Sequence, residues 1–262
     1  MSTQLAEKLN ETLSRAVRPV TAEEIKKYKE EGYFLFRGLV SPEVAKELYA
    51  DIMNIMNVIG IGTTKLRQTA QYLHGTLLET YIQSKLLHQV AESLMEAKAH
   101  LYLPFTAVKS GGGGGRFHFH QDGNYTKFKK GTGINLWLAL VPMRTENGAL
   151  RIVPRSHKGG EIGSENVGEG DTHVKVKNEP ENSEVIEMEP GDVVAFTRYT
   201  VHGSGPNNTD AHRVAYAVQY FTEDAVAVVN GREQVLRDEP RFTDIWGVDE
   251  IIPDNAGSRD GH

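Results

Sequence analysis

The stretch EPGDVVAFTRYTVHGSGPNNTDAHRVAYAVQYF, residues 189–221, contains short apolar runs separated by turn-forming residues. Pro190-Gly191-Asp192 predicts a turn into an apolar strand, and His202 ends the next strand. The segment GSGPNNTD then predicts a reversal before a strand of alternating character that begins at Arg213. Short strands joined by such turns are typical of antiparallel sheets.

The same pattern extends over most of the chain after residue 100. Strand candidates cover residues 100–108, 116–122, 133–141, 150–153, 185–188, 193–196, 201–202 and 213–221. Many short strands with glycine, proline and asparagine between them favour an antiparallel sandwich or small barrel, the jelly-roll type among them. We expect this mainly β core over about residues 100–230.

Residues 1–99 are predicted to be largely helical. Thr21 and Glu24 fit a capping box that begins a short helix, which ends near Gly32 before the predicted strand GYFLFRGL. Ser41-Pro42 predicts the start of another helix. Two apolar stripes at helical spacing indicate core packing. The first comprises Leu48, Ile52, Ile55, Met56 and Ile59, and the second comprises Leu78, Ile82, Leu86, Val90 and Leu94.

One acidic segment interrupts the predicted core, and one polar segment follows it. Residues 161–192 hold ten acidic side chains against two lysines, which predicts a solvated excursion between strands. Residues 231–262 form a C-terminal extension that ends in PDNAGSRDGH, predicted to be frayed. We expect residues 1–262 to form a single domain.

The composition limits the size of the core, the expected partners and the residue types that could bind a metal. The 262 residues are 39% hydrophobic, enough for one large core. The net charge of -6 and the lack of any Lys/Arg-rich block make nucleic acid an unexpected partner. No cysteine is present, so a metal would be held by imidazole and carboxylate. The sequence shows no signal-peptide core and no apolar run of membrane-spanning length, so we expect a cytoplasmic protein with no membrane partner.

The segment FHFHQDGNY, residues 117–125, carries a candidate metal site. Because a strand directs alternate side chains to one face, His120 and Asp122 are expected to project together, with His118 on the same face. An imidazole and a carboxylate so placed can share a divalent ion. A His-x-Asp triplet alone is a weak signal, and His202 in the later segment would complete two imidazoles and one carboxylate, the facial arrangement of non-haem Fe(II) sites.

The chain from about Val20 to Phe221 resembles the phytanoyl-CoA dioxygenase family of Fe(II)/2-oxoglutarate oxygenases. The resemblance rests on an ordered series of segments rather than on one motif: TAEEIKKYKEEGYFLFRGLVSPE, HQDGNY, NLWLAL, ENGALRIVPRSHKGG, PGDVVAFTRYTVHGSGPN and HRVAYAVQY. It implies a double-stranded β-helix core, the cupin-like jelly roll, preceded by helices. It also implies Fe(2+), 2-oxoglutarate as co-substrate and O2.

The resemblance implies roles for individual residues. His120, Asp122 and His202 become the iron ligands, and Arg213 the partner of the distal carboxylate of 2-oxoglutarate. Further co-substrate contacts are implied for Trp137, Asn135, Ser204 and Ser156. A carboxylate at position 122 favours oxygenation over halogenation. From the residues alone, His202 could be structural, Arg213 could pair with Asp210, and Asn135 and Trp137 could be ordinary core residues.

The substrate side is less defined. Candidate substrate contacts are His118, Tyr125, Lys65 and Arg67, the last two because they could hold a carboxylate or phosphonate. Lysine and arginine in a loop more often face solvent, and His118 more often has a structural role. His157 has no partner at ligand spacing, which favours a structural role, and its place within PRSHKGG makes it a candidate for orienting the loop beside the co-substrate. The run Gly111–Gly115 lacks the Lys-Ser/Thr of a phosphate loop and is interpreted as a strand connection rather than a flap.

The predicted activity is hydroxylation of an unactivated C–H bond of a small molecule, with release of succinate and CO2. One alternative keeps the same cofactors and gives desaturation, cyclisation or oxidative cleavage in secondary metabolism. Another is a jelly-roll binding module that holds a metal without redox chemistry, and a third is a zinc hydrolase, which lacks an evident general base. The sequence does not indicate the oligomeric state.

Overall fold

A computed structural model describes residues 3–59, 66–69, 77–168, 173–229, 231–236 and 259–260. Within these ranges the helices are α1 Thr3–Ala16, α2 Ala22–Glu31, α3 Pro42–Ile59, α4 Leu77–Ile82 and α5 Lys85–Met95. The strands are β1 Tyr33–Phe36, β2 Leu66–Thr69, β3 Ala99–Lys109, β4 Phe117–His120, β5 Lys127–Lys130, β6 Gly133–Ala139, β7 Leu150–Ile152, β8 Ser164–Asn166, β9 Val174–Val176, β10 Glu184–Val185, β11 Val193–Thr197, β12 His202–Ser204, β13 Arg213–Thr222, β14 Val226–Val229, β15 Arg232–Val235 and β16 Arg259–Asp260. This confirms a mainly β protein with N-terminal helices.

Helix α2 begins and ends where the sequence predicts. The Thr21 hydroxyl accepts a hydrogen bond from the Glu24 backbone N–H at 3.2 Å, and the Glu24 carboxylate accepts one from the Thr21 N–H at 2.7 Å. These reciprocal bonds satisfy donors that the first turn of a helix leaves unpaired. Gly32 ends the helix with φ of 85°, a left-handed conformation that favours glycine. The predicted capping box is therefore confirmed.

The second apolar stripe is divided between α4 and α5. All five of its residues are buried in the helical core, as expected. The helical conformation is interrupted before Ser84, whose hydroxyl accepts a hydrogen bond from the Leu87 backbone N–H at 3.4 Å and caps the start of α5. A serine cap offers the backbone an alternative to continuing the helix, so one stripe is shared by two short helices.

Two antiparallel sheets build the core. The larger has the order β1-β11-β6-β13-β3-β2-β16, and the second has the order β10-β7-β12-β4. Small sheets of β15-β14-β5 and β8-β9 flank them. The two main sheets and their antiparallel pairings are the layers of the predicted jelly roll.

Strand β6 lies at the centre of the larger sheet, and all seven of its residues are buried. Its alternate residues serve two separate cores. Ile134, Leu136 and Leu138 pack with the helices, whereas Trp137 and Ala139 pack toward β7 in the second sheet. Asn135 shares the Trp137 face because side chains alternate along a strand. The space between the two sheets is therefore where polar side chains of β6 can meet those of the second sheet.

Several sequence predictions need correction at the element level. His202 opens β12 instead of ending a strand, and Asp122 begins a 3-10 turn, Asp122–Asn124, after β4 has ended at His120. The acidic excursion is not wholly irregular, because β8 pairs with β9 within it. Strands β14 and β15 pair across the expected core boundary at residue 230.

The sequence predicts a frayed C-terminal stretch. Two of its residues, Arg259 and Asp260, form β16 and pair with β2, so that expectation is wrong for them. Among the helices that the structure describes, none combines the length and apolar character needed to cross a bilayer. The single-domain organisation over residues 1–262 stays a prediction.

Candidate functional site

Two imidazoles and one carboxylate meet between the main sheets. Nε2 of His120 lies 3.7 Å from Oδ1 of Asp122, and Nε2 of His202 lies 3.6 Å from the same oxygen. One ligand atom from each residue lies within 4.8 Å of the others, and no other such group of three occurs in the described residues. Metal–ligand bonds of about 2.1 Å place adjacent ligand atoms roughly 3 Å apart, so a small inward shift would let all three bind one ion.

The strand register explains why these residues meet. His202 of β12 pairs directly with His120 of β4, and Asp122 follows two residues after that pair. Nδ1 of His120 contacts the backbone oxygen of His118 at 2.8 Å, and Nδ1 of His202 contacts that of Thr200 at 2.9 Å. A carbonyl oxygen can only accept, so each Nδ1 donates its proton and each Nε2 keeps its lone pair toward Asp122.

Burial keeps His120 in the form that binds metal. Loss of solvent lowers the pKa of the His120 imidazole, and the charge of neighbouring His202 lowers it further, against an opposing effect of Asp122. A neutral imidazole is the form that coordinates a metal ion. His120 is therefore in its metal-binding form near neutral pH.

The second oxygen of Asp122 is held by two side-chain amides. Oδ2 accepts hydrogen bonds from Nδ2 of Asn135 at 3.2 Å and from Nε2 of Gln219 at 3.0 Å. The two amides come from neighbouring strands, since Gln219 of β13 pairs with Asn135 of β6. They hold the carboxylate with Oδ1 toward the imidazoles. The sequence analysis missed Gln219, and a co-substrate contact of Asn135 stays a prediction.

Arg213 lies in the same inter-sheet space and is only 1% exposed. Its Nη1 donates to the Ala107 oxygen at 3.4 Å, and its guanidinium carbon lies 5.5 Å from the centroid of the Trp137 ring. Burial lowers the pKa of Arg213 to about 9. It forms no ion pair within the described ranges, so the alternative pairing with Asp210 is wrong there. A buried guanidinium without an acidic neighbour is suited to an incoming carboxylate.

A second buried cation, Lys109, stands beside Arg213. The two residues are register partners on β3 and β13. Nζ of Lys109 donates to the Ser204 hydroxyl at 2.7 Å and also to the Gly205 oxygen. Burial lowers the pKa of Lys109 well below its usual range, and the charge of Arg213 adds to this effect. Sequence reasoning missed Lys109, because only the register of distant strands brings it to Arg213.

Ser156 and His157 have structural contacts. The Ser156 hydroxyl donates to the Val153 oxygen at 2.7 Å and accepts from the Val201 N–H at 2.8 Å, so it ties together the segments that precede β8 and β12. Nε2 of His157 contacts the Lys29 oxygen at 3.0 Å, and its ring lies against Gly32. His157 therefore packs on the end of α2, which does not support the predicted role beside the co-substrate. The Ser156 hydroxyl is likewise occupied by backbone partners.

Strand β4 departs from the regular alternation on which the prediction of a shared face for His118 and His120 rests. Ser204 pairs with Phe117 while His202 pairs with His120, so β4 contains one extra residue and a bulge. A bulge breaks the strict alternation on which that expectation rested. The Phe117 ring, in place of His118, packs against His120 with centroids 6.4 Å apart. A substrate contact of His118 stays a prediction.

Of the other substrate candidates, Tyr125 has a described side chain. Tyr125 is 38% exposed, and its ring stands edge-to-face on His120 with centroids 5.6 Å apart. Its hydroxyl accepts from the Val174 N–H of β9 at 3.4 Å. Lys65 lies outside the described residues. Arg67 lies in β2, where its backbone pairs with Val108, and its side chain is not among those described.

The glycine run is a strand connection, as interpreted from the sequence. Gly112 donates to the Thr209 oxygen at 2.8 Å, and Gly114 exchanges backbone hydrogen bonds with Asn207. A Cβ on Gly111 would lie 2.0 Å from the Asp210 oxygen, so the close approach requires glycine there. The run is thus bonded to the turn that precedes β13.

The family model described as phytanoyl-CoA dioxygenase (PhyH) matches residues 28–215. A probable phytanoyl-CoA dioxygenase of Caenorhabditis elegans is 33% identical over 122 residues, 44% of this chain and 39% of that protein. The chain thus matches less than two thirds of that relative's length.

Two further similarities cover more of the chain. A methylphosphonate hydroxylase of Gimesia maris is 29% identical over 191 residues, 72% of this chain and 70% of that protein. The crystal structure of the epimerase SnoN in complex with Fe3+, alpha ketoglutarate and nogalamycin RO superposes with a TM-score of 0.63 at 16% identity. The superposition covers 82% of this chain and 93% of that one, and it supports the fold.

Proposed function

This chain belongs to the phytanoyl-CoA dioxygenase family, and we propose that it is an Fe(II)/2-oxoglutarate-dependent dioxygenase that hydroxylates an unactivated C–H bond of a small molecule. His120, Asp122 and His202 bind the iron. Arg213 binds the distal carboxylate of 2-oxoglutarate. The observation that carries the proposal is one group of two imidazole nitrogens and a carboxylate oxygen in the same buried space as an arginine without an acidic partner in the described residues.

The donor set fits the metal. Two neutral imidazoles and one carboxylate are the facial ligands of non-haem Fe(II) oxygenases, which leave positions open for co-substrate and O2. When bound, iron supplies the oxidative chemistry that converts 2-oxoglutarate and O2 to succinate and CO2 while a substrate is oxidised. A zinc hydrolase on the same ligands would need a general base, and no described carboxylate other than Asp122 joins the ligand group.

The side chains of the protein bind the metal and the co-substrate, orient them and exclude water from the site. Asn135 and Gln219 fix the Asp122 carboxylate so that one oxygen serves the metal. Arg213 offers two parallel charge-assisted hydrogen bonds to a carboxylate, and Trp137 covers its guanidinium. Because the arginine and the two histidines are buried, their interactions with charged ligands are stronger than at a surface.

Hydroxylation is the proposed outcome, with other oxidations as the alternative. Relatives and structural neighbours include a protein named as a hydroxylase and another named as an epimerase. Asp122 supplies the third protein ligand, which favours oxygen transfer over halogenation. Product mass separates the outcomes, since hydroxylation adds one oxygen, desaturation or ring formation removes two hydrogens, and epimerisation leaves the mass unchanged.

The proposed substrate is a small molecule. Its candidate contacts are Tyr125, which stands over His120 at the rim of the metal group, and His118, Lys65 and Arg67 from the sequence. The relative named methylphosphonate hydroxylase makes small phosphonates a reasonable first set in a substrate screen. The cytoplasmic location and the absence of nucleic-acid and membrane partners stay predictions.

Succinate release tests the proposal. Purified protein with Fe(II), 2-oxoglutarate and O2 should form succinate slowly without substrate, and a fitting substrate should accelerate it. Asp122→Ala should abolish the reaction, whereas Asp210→Ala, at an exposed position, should retain it. A protein that binds iron but forms no succinate under these conditions would be a metal-containing binding module. Undiminished turnover by the Asp122→Ala variant would contradict the ligand assignment.

A further inference from the structure

Lys109 and Arg213 form a pair of buried basic side chains. Lys109 is fully buried and Arg213 is 1% exposed, and they are direct register partners on β3 and β13. Neither forms an ion pair with any acidic side chain in the part of the chain that the structure describes. Like charges side by side in a protein interior repel each other and lose their hydration, so such a pair is costly unless an anion joins it.

The pocket around the lysine ammonium group is built from several elements. Nζ donates to the Ser204 hydroxyl at 2.7 Å and to the Gly205 oxygen, which accounts for two of its three protons. Gly148 leaves the space that the ammonium group occupies, because a Cβ there would lie 3.0 Å from Nζ and 2.5 Å from the Gly205 oxygen. Lys109 is thus held in a defined position, and its ammonium form has a third N–H that donates to no acceptor among the residues that the structure describes.

The backbone of both residues is tied by Asn207. Its Nδ2 donates to the oxygen of Ser110 at 3.0 Å, one residue after Lys109, and to that of Ala211 at 2.8 Å, two residues before Arg213. Asn207 is fully buried. These bonds join the end of β3 to the start of β13, so the spacing of the two cations does not depend on their mutual contact.

We infer that Lys109 is a second cationic ligand of the distal carboxylate of 2-oxoglutarate, which it binds together with Arg213. The inference rests on the proposed function and deepens its co-substrate site. A carboxylate has enough lone pairs to accept from a guanidinium and an ammonium group at once, and it would offset part of the charge of both. The pair should therefore select 2-oxo acids with a distal carboxylate over those without one.

A comparison of two ligands isolates this role. Binding of 2-oxoglutarate and of 2-oxopentanoate, which lacks the distal carboxylate, is measured by calorimetry on the Mn(II)-loaded protein and its Lys109→Met variant. A hydrogen bond to a charged partner is worth about 1.5–3 kcal/mol, so Lys109→Met should weaken 2-oxoglutarate binding about tenfold or more. Binding of 2-oxopentanoate should change little. Lys98→Met, at an exposed lysine, should leave both affinities unchanged.

The possible results distinguish a failure of this inference from a failure of the proposed function. If Lys109→Met weakens both ligands equally, or weakens neither, the inference is overturned and Lys109 only supports Ser204 and Gly205. Should the methionine variant unfold, Lys109→Gln provides the same comparison with a neutral polar side chain. If the unmodified protein binds neither ligand, the proposed function itself fails. If it prefers 2-oxoglutarate and both Lys109 variants keep the full preference, only this inference fails.

Discussion

Gln219 donates a hydrogen bond to Oδ2 of Asp122 at 3.0 Å, while Oδ1 of the same carboxylate faces the imidazoles of His120 and His202. With Asn135 bonded to the same oxygen at 3.2 Å, the carboxylate is held from two neighbouring strands. The orientation of the third ligand thus depends on two side chains of the larger sheet as well as on the turn that carries Asp122.

Removing the Gln219 amide should weaken metal binding. Loss of a hydrogen-bonding partner of a metal ligand lowers metal affinity about 10- to 100-fold. We expect Gln219→Leu to lower Mn(II) affinity by an amount in this range, measured by anaerobic titration. Gln234→Leu, at an exposed position of β15, is the control. Unchanged affinity in Gln219→Leu would show that Asn135 and the turn suffice.

Two buried arginines should respond differently to the same substitution. Arg213→Met removes a buried charge that has no ion-pair partner among the described residues, so the ligand-free protein should unfold at an equal or higher temperature while losing 2-oxoglutarate binding. Arg198 instead lies 3.4 Å over the Phe128 ring and donates to the Thr126 oxygen. Arg198→Met should therefore lower the unfolding temperature. A large destabilisation by Arg213→Met would contradict our view that the site is held ready for an anion.

Gly203 controls the contact between the two histidine strands. A Cβ there would lie 3.0 Å from the Phe117 oxygen and 3.1 Å from the Phe119 backbone, inside the bulge of β4. Gly203→Ala should push β4 from β12, cost about 1–3 kcal/mol, and lower metal affinity by separating His120 from His202. Gly159→Ala, where a Cβ meets nothing within 4 Å, is the control. Equal metal affinity in the two variants would contradict this reasoning.

The capping box of α2 should make stability depend on pH. The hydrogen bond from Arg18 lowers the pKa of Glu24 to about 2 from an ordinary 4.5. Because the folded-state pKa lies below the unfolded one, this contribution is present above pH 4.5 and is lost as pH falls toward 2. Arg18 is half exposed, so we expect the pair to contribute at most about 1 kcal/mol.

A neutral variant measures this contribution. The unfolding free energy of the unmodified protein should exceed that of Glu24→Gln above pH 4.5. The difference should shrink as the pH approaches 2. Glu23→Gln, an exposed residue of the same turn, should show a smaller difference. A gap between the unmodified protein and Glu24→Gln that stays constant through this range would exclude Glu24 as the titrating group.

Much of the fold follows from local sequence signals. The Thr21 capping box, the left-handed Gly32 and the turn at Pro190-Gly191 depend on residues close together in the chain, so their chemistry is visible in the sequence. The two-residue spacing of His120 and Asp122, joined to a resemblance over most of the chain, was enough to predict the ligand group that the structure brings together.

The rest of the site depends on register between distant strands. Lys109 meets Arg213 across β3 and β13, and Gln219 meets Asn135 across β13 and β6. The sequence around each of these four residues gives no indication of its partner. Alternation along a strand determines the face on which a side chain lies, but it does not determine which residue of the neighbouring strand lies opposite. The bulge in β4 is a similar case, since it interrupts the regular alternation of that strand and no glycine lies within FHFH to mark it.

Anaerobic Fe(II) titration of the purified protein and its alanine variants tests the central claim most directly. The account predicts one tightly bound Fe(II) per chain in the unmodified protein. It predicts loss of that binding in His120→Ala, Asp122→Ala and His202→Ala, with retention in His118→Ala. Stoichiometric binding that survives removal of His202, or that is lost with His118 instead, would contradict it.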